Sequence, residues 1–139
     1  MTGLPEWPVR TIAILVTIDQ GPHAIPVSAP VRTDGYTILL SLHRSRDSLA
    51  RLRRRPQVAL AILAEGNTAF TARGMARVID ERMTDATDYA AVAIDVTDVD
   101  DHRQAAFTVE AGVNRKWIDD REKRALGTRI EILQGLAVG

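Results

Sequence analysis

Two arginines and a serine, Arg44-Ser45-Arg46, stand where a predicted strand gives way to a predicted helix. Residues 36 to 42 are rich in β-branched and aliphatic side chains, which favours a buried strand. Ser45 is then placed to cap a helix that ends before Pro56. Free N–H groups, the helix dipole and two guanidinium groups would meet in one small volume. The stretch therefore predicts an anion site, and phosphate is the commonest anion to occupy such a place.

His43 adjoins this predicted site and could touch a phosphate or a substrate, the alternative being a histidine at a strand end that faces water. The three histidines are too scattered for metal ligation and there is no cysteine, so we expect no metal site. The carboxylates show no paired-acid arrangement, and the serines have no evident base and orienting acid. We therefore predict no catalytic acid, base or nucleophile among the side chains.

A run of arginines closes the predicted helix: Arg51, Arg53, Arg54 and Arg55. Arginines are favoured at a helix C-terminus, where the dipole attracts them and they can cap free carbonyl groups. The opposing interpretation is polyanion binding, including a charged coenzyme tail. Because the formal net charge is zero, no wider basic surface is predicted and we expect no nucleic-acid partner.

The length of 139 residues predicts a single domain over residues 1 to 139. No apolar run approaches the roughly 20 residues of a membrane span, so we expect no membrane partner. The N-terminus lacks the pattern of a signal peptide. A cytoplasmic location is the expectation that follows.

Seven strands are predicted, over residues 9 to 18, 23 to 32, 36 to 42, 57 to 64, 68 to 79, 89 to 99 and 106 to 118. The first is too continuously apolar to have a solvent-facing side, and the first three are expected to form an antiparallel meander. Gly74 marks a bulge or a tight barrel bend, and Gly112 marks a bend. The expected fold is mainly β: a six- to seven-stranded antiparallel barrel with a helix after the third strand and a C-terminal helix.

Pro26 and Pro30 each remove a hydrogen-bond donor from the predicted second strand, which indicates an edge, a bulge or a neighbour that is not a strand. The C-terminal helix is expected from Asp119, an N-cap candidate, to Leu133. Trp117, just before it, could cover a ligand ring or could cover the core or a dimer seam.

The order of these features resembles the pyridoxamine 5′-phosphate oxidase-like family, split β-barrels that bind FMN or the deazaflavin coenzyme F420. The matching pieces cover about half the chain. They are residues 11 to 19, residues 21 to 27, Asp34-Gly35, Leu39-Leu40-Ser41, Arg44-Ser45-Arg46, residues 52 to 60 and residues 73 to 78.

In that family two chains pair and each cofactor lies in a cleft at the dimer interface, so the resemblance implies a homodimer. It implies that Arg44, Ser45 and Arg46 bind the cofactor phosphate, with His43 beside them. It also implies that the ring lies along the backbone of Val27 and Ser28, with Leu40 and Ser41 on the neighbouring strand.

Two positions depart from the FMN-dependent members of the family. Asp47 stands where such relatives often have lysine, and Ala69 stands where they commonly place a ring-contacting glutamine. FMN, the deazaflavin, and a barrel that has lost its cofactor therefore all stay open.

The function that the resemblance implies is an oxidoreductase that uses FMN or coenzyme F420 to transfer a hydride to or from a small organic substrate. The alternative is a non-catalytic split-barrel dimer that binds, stores or carries a cofactor or ligand, or serves as an interaction module.

Overall fold

The computed structural model describes residues 3 to 138, and the protein is mainly β in that range. It has seven strands and two helices in the described part of the chain. In order they are β1 (Ile12–Ile18), β2 (Pro22–Ser28), β3 (Val31–Arg32), β4 (Thr37–His43), α1 (Asp47–Arg54), β5 (Gln57–Ala64), β6 (Thr68–Asp80), β7 (Tyr89–Asp101) and α2 (Asp120–Val138).

All seven strands form one sheet in the order β2-β1-β5-β6-β7-β4-β3, and every neighbouring pair is antiparallel. The sheet is curled into a half-barrel, with α1 after β4 and α2 at the C-terminus. The predicted mainly-β antiparallel fold with these two helix positions is confirmed.

The predicted meander of the first three strands is confirmed in its two hairpins, because β1 pairs with β2 and β3 pairs with β4, but it is wrong in treating β2 and β3 as one strand. Strand β4 pairs with β7, placing Leu40 opposite Val92, and it has no ladder with β2. The second predicted strand is broken in two at Ala29, whose φ is +53°. This left-handed residue turns the chain from β2 at one end of the sheet to β3 at the other end.

The turn at Ala29 is held from several sides. Its N–H donates to the carbonyl of Thr11 at 2.8 Å, and its methyl group is buried in a small cluster with Leu126 and Ile130 of α2, covered by Trp117. Trp117 therefore packs against this part of the core, as one of its two predicted interpretations required.

The main core fills the inside of the curl. Its largest fully buried side chains include Leu15, Leu40, Leu60, Ile62 and Ile94, one or two from each of four strands. Burying each such side chain contributes about 1.5–3 kcal/mol. The α1 stripe of Leu49 and Leu52 is part of the same core.

Helix α2 covers one half of the outer face of the sheet. Leu133 packs with Leu39 of β4 and with Ala91 of β7, and Leu126 and Ile130 are also buried. The other half of the outer face, formed by β2, β1, β5 and β6, has no helix over it among the described residues.

The predicted seventh strand over residues 106 to 118 is wrong, because this segment has no strand structure. It passes the end of β5, where Asn67 accepts from the N–H of Val109 at 2.9 Å and donates its own N–H to the Val109 carbonyl at 3.0 Å. Both long edges of β5 are already assigned to β1 and β6. The side chains of this segment suit a strand, but β5 has no free edge with which the segment could pair.

The two helix starts differ. Asp119 caps α2 as predicted, because its Oδ1 accepts from the N–H of Arg121 at 2.8 Å. Ser45 does not cap α1: the N-cap is Arg46, and no side chain makes a capping hydrogen bond there. Helix α1 ends at Arg54, as Pro56 predicted. Neither helix in the described range combines the length and apolarity that a membrane-spanning helix needs.

Gly74 lies at the predicted bulge, where the register between β6 and β7 shifts. A Cβ there would come within 2.1 Å of the Asp95 carbonyl oxygen, whereas a Cβ on Gly135 of α2 would meet nothing within 4 Å. We expect Gly74→Ala to lower the free energy of unfolding by about 2 kcal/mol or more, because backbone must move. Gly135→Ala should raise it by about 0.5–1 kcal/mol, because alanine favours the helix.

Urea denaturation of the two variants and the wild type would measure both changes. A Gly74→Ala protein as stable as the wild type would contradict the close approach of β6 and β7 at this bulge.

Candidate functional site

A cleft of about 100 Å³ lies where β2, at one end of the curled sheet, comes opposite β4. It is lined by residues of β2 and β4, by Arg46 just before α1, by Tyr89 at the start of β7 and by Arg129 of α2. The lining residues are Ile25, Pro26, Val27, Ser28, Ser41, Leu42, His43, Arg46, Tyr89 and Arg129.

The corner between β4 and α1 is fixed by hydrogen bonds to His43. The Ser45 N–H donates to His43 Nδ1 at 3.2 Å, the Ser45 hydroxyl lies 2.7 Å from the same nitrogen, and the Arg46 N–H donates to the His43 carbonyl at 2.9 Å. Since Nδ1 accepts a backbone N–H, its proton in the neutral ring is on Nε2. The engagement of the Ser45 hydroxyl with His43 explains why it does not cap α1.

Five of the eight residues predicted to bind a cofactor meet in this cleft: Val27, Ser28, Ser41, His43 and Arg46. Their joint placement follows from the curl, which brings residues 13 or more positions apart to one opening.

The other three predicted residues lie elsewhere. Leu40 is fully buried in the core, because side chains alternate along β4 and its neighbour Ser41 takes the cleft side. Arg44 and Ser45 are exposed beside the cleft rather than in its lining. The Arg44 N–H donates to the Asp88 carbonyl at 2.8 Å, which ties this corner to the residue before β7. The cofactor assignment of all eight residues stays a prediction.

Asp47 does not face the cleft. Its side chain is 88% exposed, and its nearest basic partner is Arg51 Nη2 at 4.0 Å, one turn along α1. The carboxylate that departs from the family pattern is therefore directed to solvent, where water screens it from any anion in the cleft.

Arg129 is the lining residue that the sequence did not single out. It is only 9% exposed, its Nε has no hydrogen-bond partner within residues 3 to 138, and its guanidinium carbon lies 3.9 Å from the centre of the Tyr89 ring. Tyr89 in turn meets the His43 ring edge-on, with ring centres 5.1 Å apart. A signal was available, since Arg129 lies beside Ile130 and three residues after Leu126, on the buried stripe of α2.

A second arginine, Arg115, reaches the end of β2 from the segment without strand structure. Its Nη1 donates to Ser28 Oγ at 3.1 Å and its Nη2 donates to the Arg10 carbonyl at 3.1 Å. Burial, and then the charge of Arg10, lowers the pKa of Arg115. The predicted seventh strand thus supplies a side chain that holds one wall of the cleft.

The arginine run at the end of α1 is engaged away from the cleft. Arg53 pairs with Glu81, and Arg54 pairs with Asp19 at 2.6 Å. The hydrogen bond from Arg54 lowers the pKa of the Asp19 carboxyl below its usual range. These pairs join α1 to the turns around it, so they fit the predicted interpretation of a solvated helix end.

A wider groove of about 770 Å³ shares His43, Tyr89 and Arg129 with the cleft. Its remaining lining includes three acids, Asp85, Asp88 and Glu122. A separate hollow of about 380 Å³ near Trp7 and Arg32 includes no predicted site residue. Within residues 3 to 138, no group of three histidine or acidic side chains is placed to hold a metal ion.

Searches against protein-family models and against curated proteins each find no match. Solved structures do match. A Lactobacillus delbrueckii protein provisionally named pyridoxamine 5′-phosphate oxidase is 16% identical, with a TM-score of 0.56 over 71% of this chain and 98% of that one. An F420 reductase is 16% identical, with a TM-score of 0.57 over 71% of this chain and 100% of that one. A heme binding protein from Mycobacterium smegmatis is 17% identical, with a TM-score of 0.52 over 66% of this chain and 48% of that one.

The difference between the two helix starts can be measured directly. Asp119→Ala should lower the free energy of unfolding by about 1 kcal/mol, because it removes a cap. Ser45→Ala should change it by less than about 0.5 kcal/mol, because an exposed hydroxyl that caps no helix contributes little. Equal losses in thermal or urea denaturation would contradict the engagement of Ser45 with His43 and would restore it as the cap.

Proposed function

Because the chain has the split-barrel fold of the pyridoxamine 5′-phosphate oxidase-like proteins, we propose that it is an oxidoreductase that binds FMN or coenzyme F420 in the cleft between β2 and β4. The substrate would be a small organic molecule that gives or accepts a hydride. The observation that carries the proposal is the cleft itself, which gathers five of the eight residues implied by the resemblance.

The edge of β2 supports the placement of a flavin-type ring. This strand pairs only with β1, so the N–H and C=O groups of its other edge are not used in the sheet. That edge borders the cleft over residues 25 to 28. A planar ring with carbonyl and nitrogen acceptors can take the place of a neighbouring strand there, where Pro26 already interrupts the pattern of donors.

The start of α1 supports the placement of the phosphate. No side chain caps this helix, so its first N–H groups have no side-chain acceptor, and the positive end of the helix dipole lies beside Arg46. Arg44 and Ser45 are exposed next to it and can reach an anion from the solvent side. Asp47 is turned outward and does not oppose this charge.

In the proposed reaction, the side chains supply little of the chemistry. A bound flavin or deazaflavin supplies the hydride chemistry, while the protein binds and orients it and keeps water away. In the cleft, the β2 edge would position the ring, and Arg46 and His43 would hold polar groups of the cofactor. No acid or base is proposed.

A non-catalytic ligand-binding barrel is the second candidate. Its specific support is the structural likeness to a heme binding protein, since a split barrel of this shape also occurs in a protein of that name. Heme would need an axial side-chain ligand, for which His43 is the histidine in the cleft.

Cofactor binding tests the first candidate against the second. We expect FMN or coenzyme F420 to raise the melting temperature, and Arg46→Ala and Arg44→Ala each to weaken binding by roughly 10- to 150-fold, because each loses a charge-assisted contact of about 1.5–3 kcal/mol. Asp47→Asn is the matched control, from the same corner, and should change affinity less than about 2-fold.

Thermal shift and fluorescence titration would measure these affinities, with hemin as a parallel ligand. The oxidoreductase proposal fails if neither FMN nor coenzyme F420 binds. Binding of hemin alone, lost in His43→Ala, would favour the second candidate.

The partner we propose is a second copy of the chain. The cleft of about 100 Å³ is smaller than the roughly 300–1,000 Å³ of most cofactor and ligand pockets, so one chain encloses only part of such a cofactor. A second chain against the cleft would enclose the rest. The small-molecule substrate would then bind over the exposed side of the ring.

The uncovered half of the outer sheet face supports this partner. It leaves Ile14, Ile18, Leu63 and Met75 between 40% and 56% exposed, although the first strand was expected to have no solvent-facing side. Ile14 lies opposite Pro26, which also lines the cleft, so the apolar face and the cleft adjoin. An apolar surface of this kind marks an interaction site.

Sedimentation velocity tests the assembly. We expect the wild type to be a dimer and Ile14→Lys to be a monomer, because a charge would be buried without a partner at the interface. Ile118→Lys is the control, since Ile118 is 99% exposed on another part of the surface and should leave the dimer intact. A monomeric wild type would contradict the partner, and a dimeric Ile14→Lys protein would contradict this face.

A further inference from the structure

Arg129 is a buried cation for which the described residues provide no counter-ion. It is 9% exposed, its Nε has no hydrogen-bond partner, and no carboxylate in residues 3 to 138 lies within 4.0 Å of its guanidinium group. Arg32 and Arg115, which are less exposed than most arginines of the chain, each donate to backbone carbonyl groups instead. A charge removed from water without a partner is costly, so Arg129 is the exception that calls for a ligand.

Tyr89 compensates for only part of this cost. Its ring lies 3.9 Å from the guanidinium carbon, which allows a cation–π contact with the face of the group. A guanidinium group donates its hydrogen bonds in its own plane, through the fork of N–H groups at its edge. The stacking therefore fixes the orientation of Arg129 and leaves that fork available to an acceptor.

The cleft is the place where an acceptor fits. Arg129 lines it together with Arg46 and His43, and no Asp or Glu is among its lining residues. Ser28 and Ser41 add hydroxyl groups that can donate to an oxyanion. The enclosed volume of about 100 Å³ is enough for one phosphate group.

The acidic residues near Arg129 line the wider groove and not the cleft. Asp85, Asp88 and Glu122 line the wider groove, which Arg129 and Tyr89 also border. They make that groove unfavourable for an anion, and none of them forms an ion pair with Arg129 within 4.0 Å. The distribution of charge thus directs a negative group to the cleft and away from the groove.

We infer that Arg129 is a phosphate-binding residue, and that with Arg46 it holds a phosphate ester inside the cleft, whose lining does not include Arg44 and Ser45. The planar fork of Arg129 suits two oxygens of one phosphate group. This inference deepens the proposed function and rests on it only for the molecule that carries the phosphate. The phosphate group itself can be tested without a cofactor.

A purely structural role and a ligand-binding role for Arg129 predict opposite effects of Arg129→Met on the melting temperature of the free protein. If its aliphatic stem and its stacking on Tyr89 stabilise the fold, Arg129→Met should lower the melting temperature of the free protein. If the charge is held there for a ligand, removing it relieves an unpaired buried cation. Arg129→Met should then melt at the wild-type temperature or above it when no ligand is present.

The experiment uses thermal shift with inorganic phosphate at constant ionic strength, on the wild type, Arg129→Met, Arg129→Lys and Arg124→Met. We expect phosphate to stabilise the wild type and the control Arg124→Met, whose arginine is exposed on the same helix. The shift should be lost in Arg129→Met and reduced in Arg129→Lys, which keeps the charge without the fork. If Arg129→Met fails to fold, the phosphate shift of Arg129→Lys is compared with that of the wild type instead.

The source of the phosphate follows from titrations with FMN and riboflavin, and with coenzyme F420 and its phosphate-free ribityl deazaflavin core. We expect the phosphate-bearing cofactor to bind the wild type far more tightly than its phosphate-free counterpart, and this preference to be at least about 10-fold smaller in Arg129→Met, which keeps the contact from Arg46. If the pairs do not differ in the wild type although inorganic phosphate acts through Arg129, the phosphate belongs to the substrate.

Two outcomes separate this inference from the proposed function. If no cofactor binds but the phosphate shift still requires Arg129, the oxidoreductase proposal fails and the phosphate site stands. If a cofactor binds and Arg129→Met keeps both the phosphate shift and the preference for the phosphate-bearing member, the inference is overturned while the proposed function stands.

Discussion

The two residues Ala29 and Pro30 are the constraint on which this structure depends. They alone separate β2 from β3, yet these strands are the opposite ends of the seven-stranded sheet. Two residues span only about 7 Å, so the sheet must curl until its ends meet. The buried left-handed conformation of Ala29, its hydrogen bond to Thr11 and the cover of α2 and Trp117 hold that connection in place.

The same curl produces the cleft. Backbone continuity closes the barrel at Ala29, but no ladder joins β2 to β4, so the sheet stays split along that line. The split exposes an unpaired strand edge next to an uncapped helix start, and α2 brings Arg129 to the same opening. Along this gap, unused backbone groups of β2 therefore lie opposite Arg46 and the first N–H groups of α1.

Most of the ion-paired arginines of this chain differ from Arg129 in their surroundings. Arg53, Arg54, Arg73, Arg77 and Arg103 each pair with a carboxylate at the surface, where such pairs contribute little stability. Arg129 is buried and stacked on Tyr89, and no carboxylate in residues 3 to 138 pairs with it. The abundance of arginine in the sequence is therefore a poor guide to function, and the burial of one of them is a better one.

The sequence by itself determined the strands through Asp101, apart from the break at Ala29, and the two helices, the bulge at Gly74 and the cap at Asp119, because each depends on local residue types and spacing. It also brought out Arg46 and His43 at a strand-to-helix corner. Only the tertiary structure decided that β4 pairs with β7, that residues 106 to 118 pass a strand, β5, whose two edges are already paired, and that Ser45 bonds to His43 instead of capping α1. It also decided that Arg129 enters the cleft, because a counter-ion, or its absence, is a property of neighbours distant in sequence.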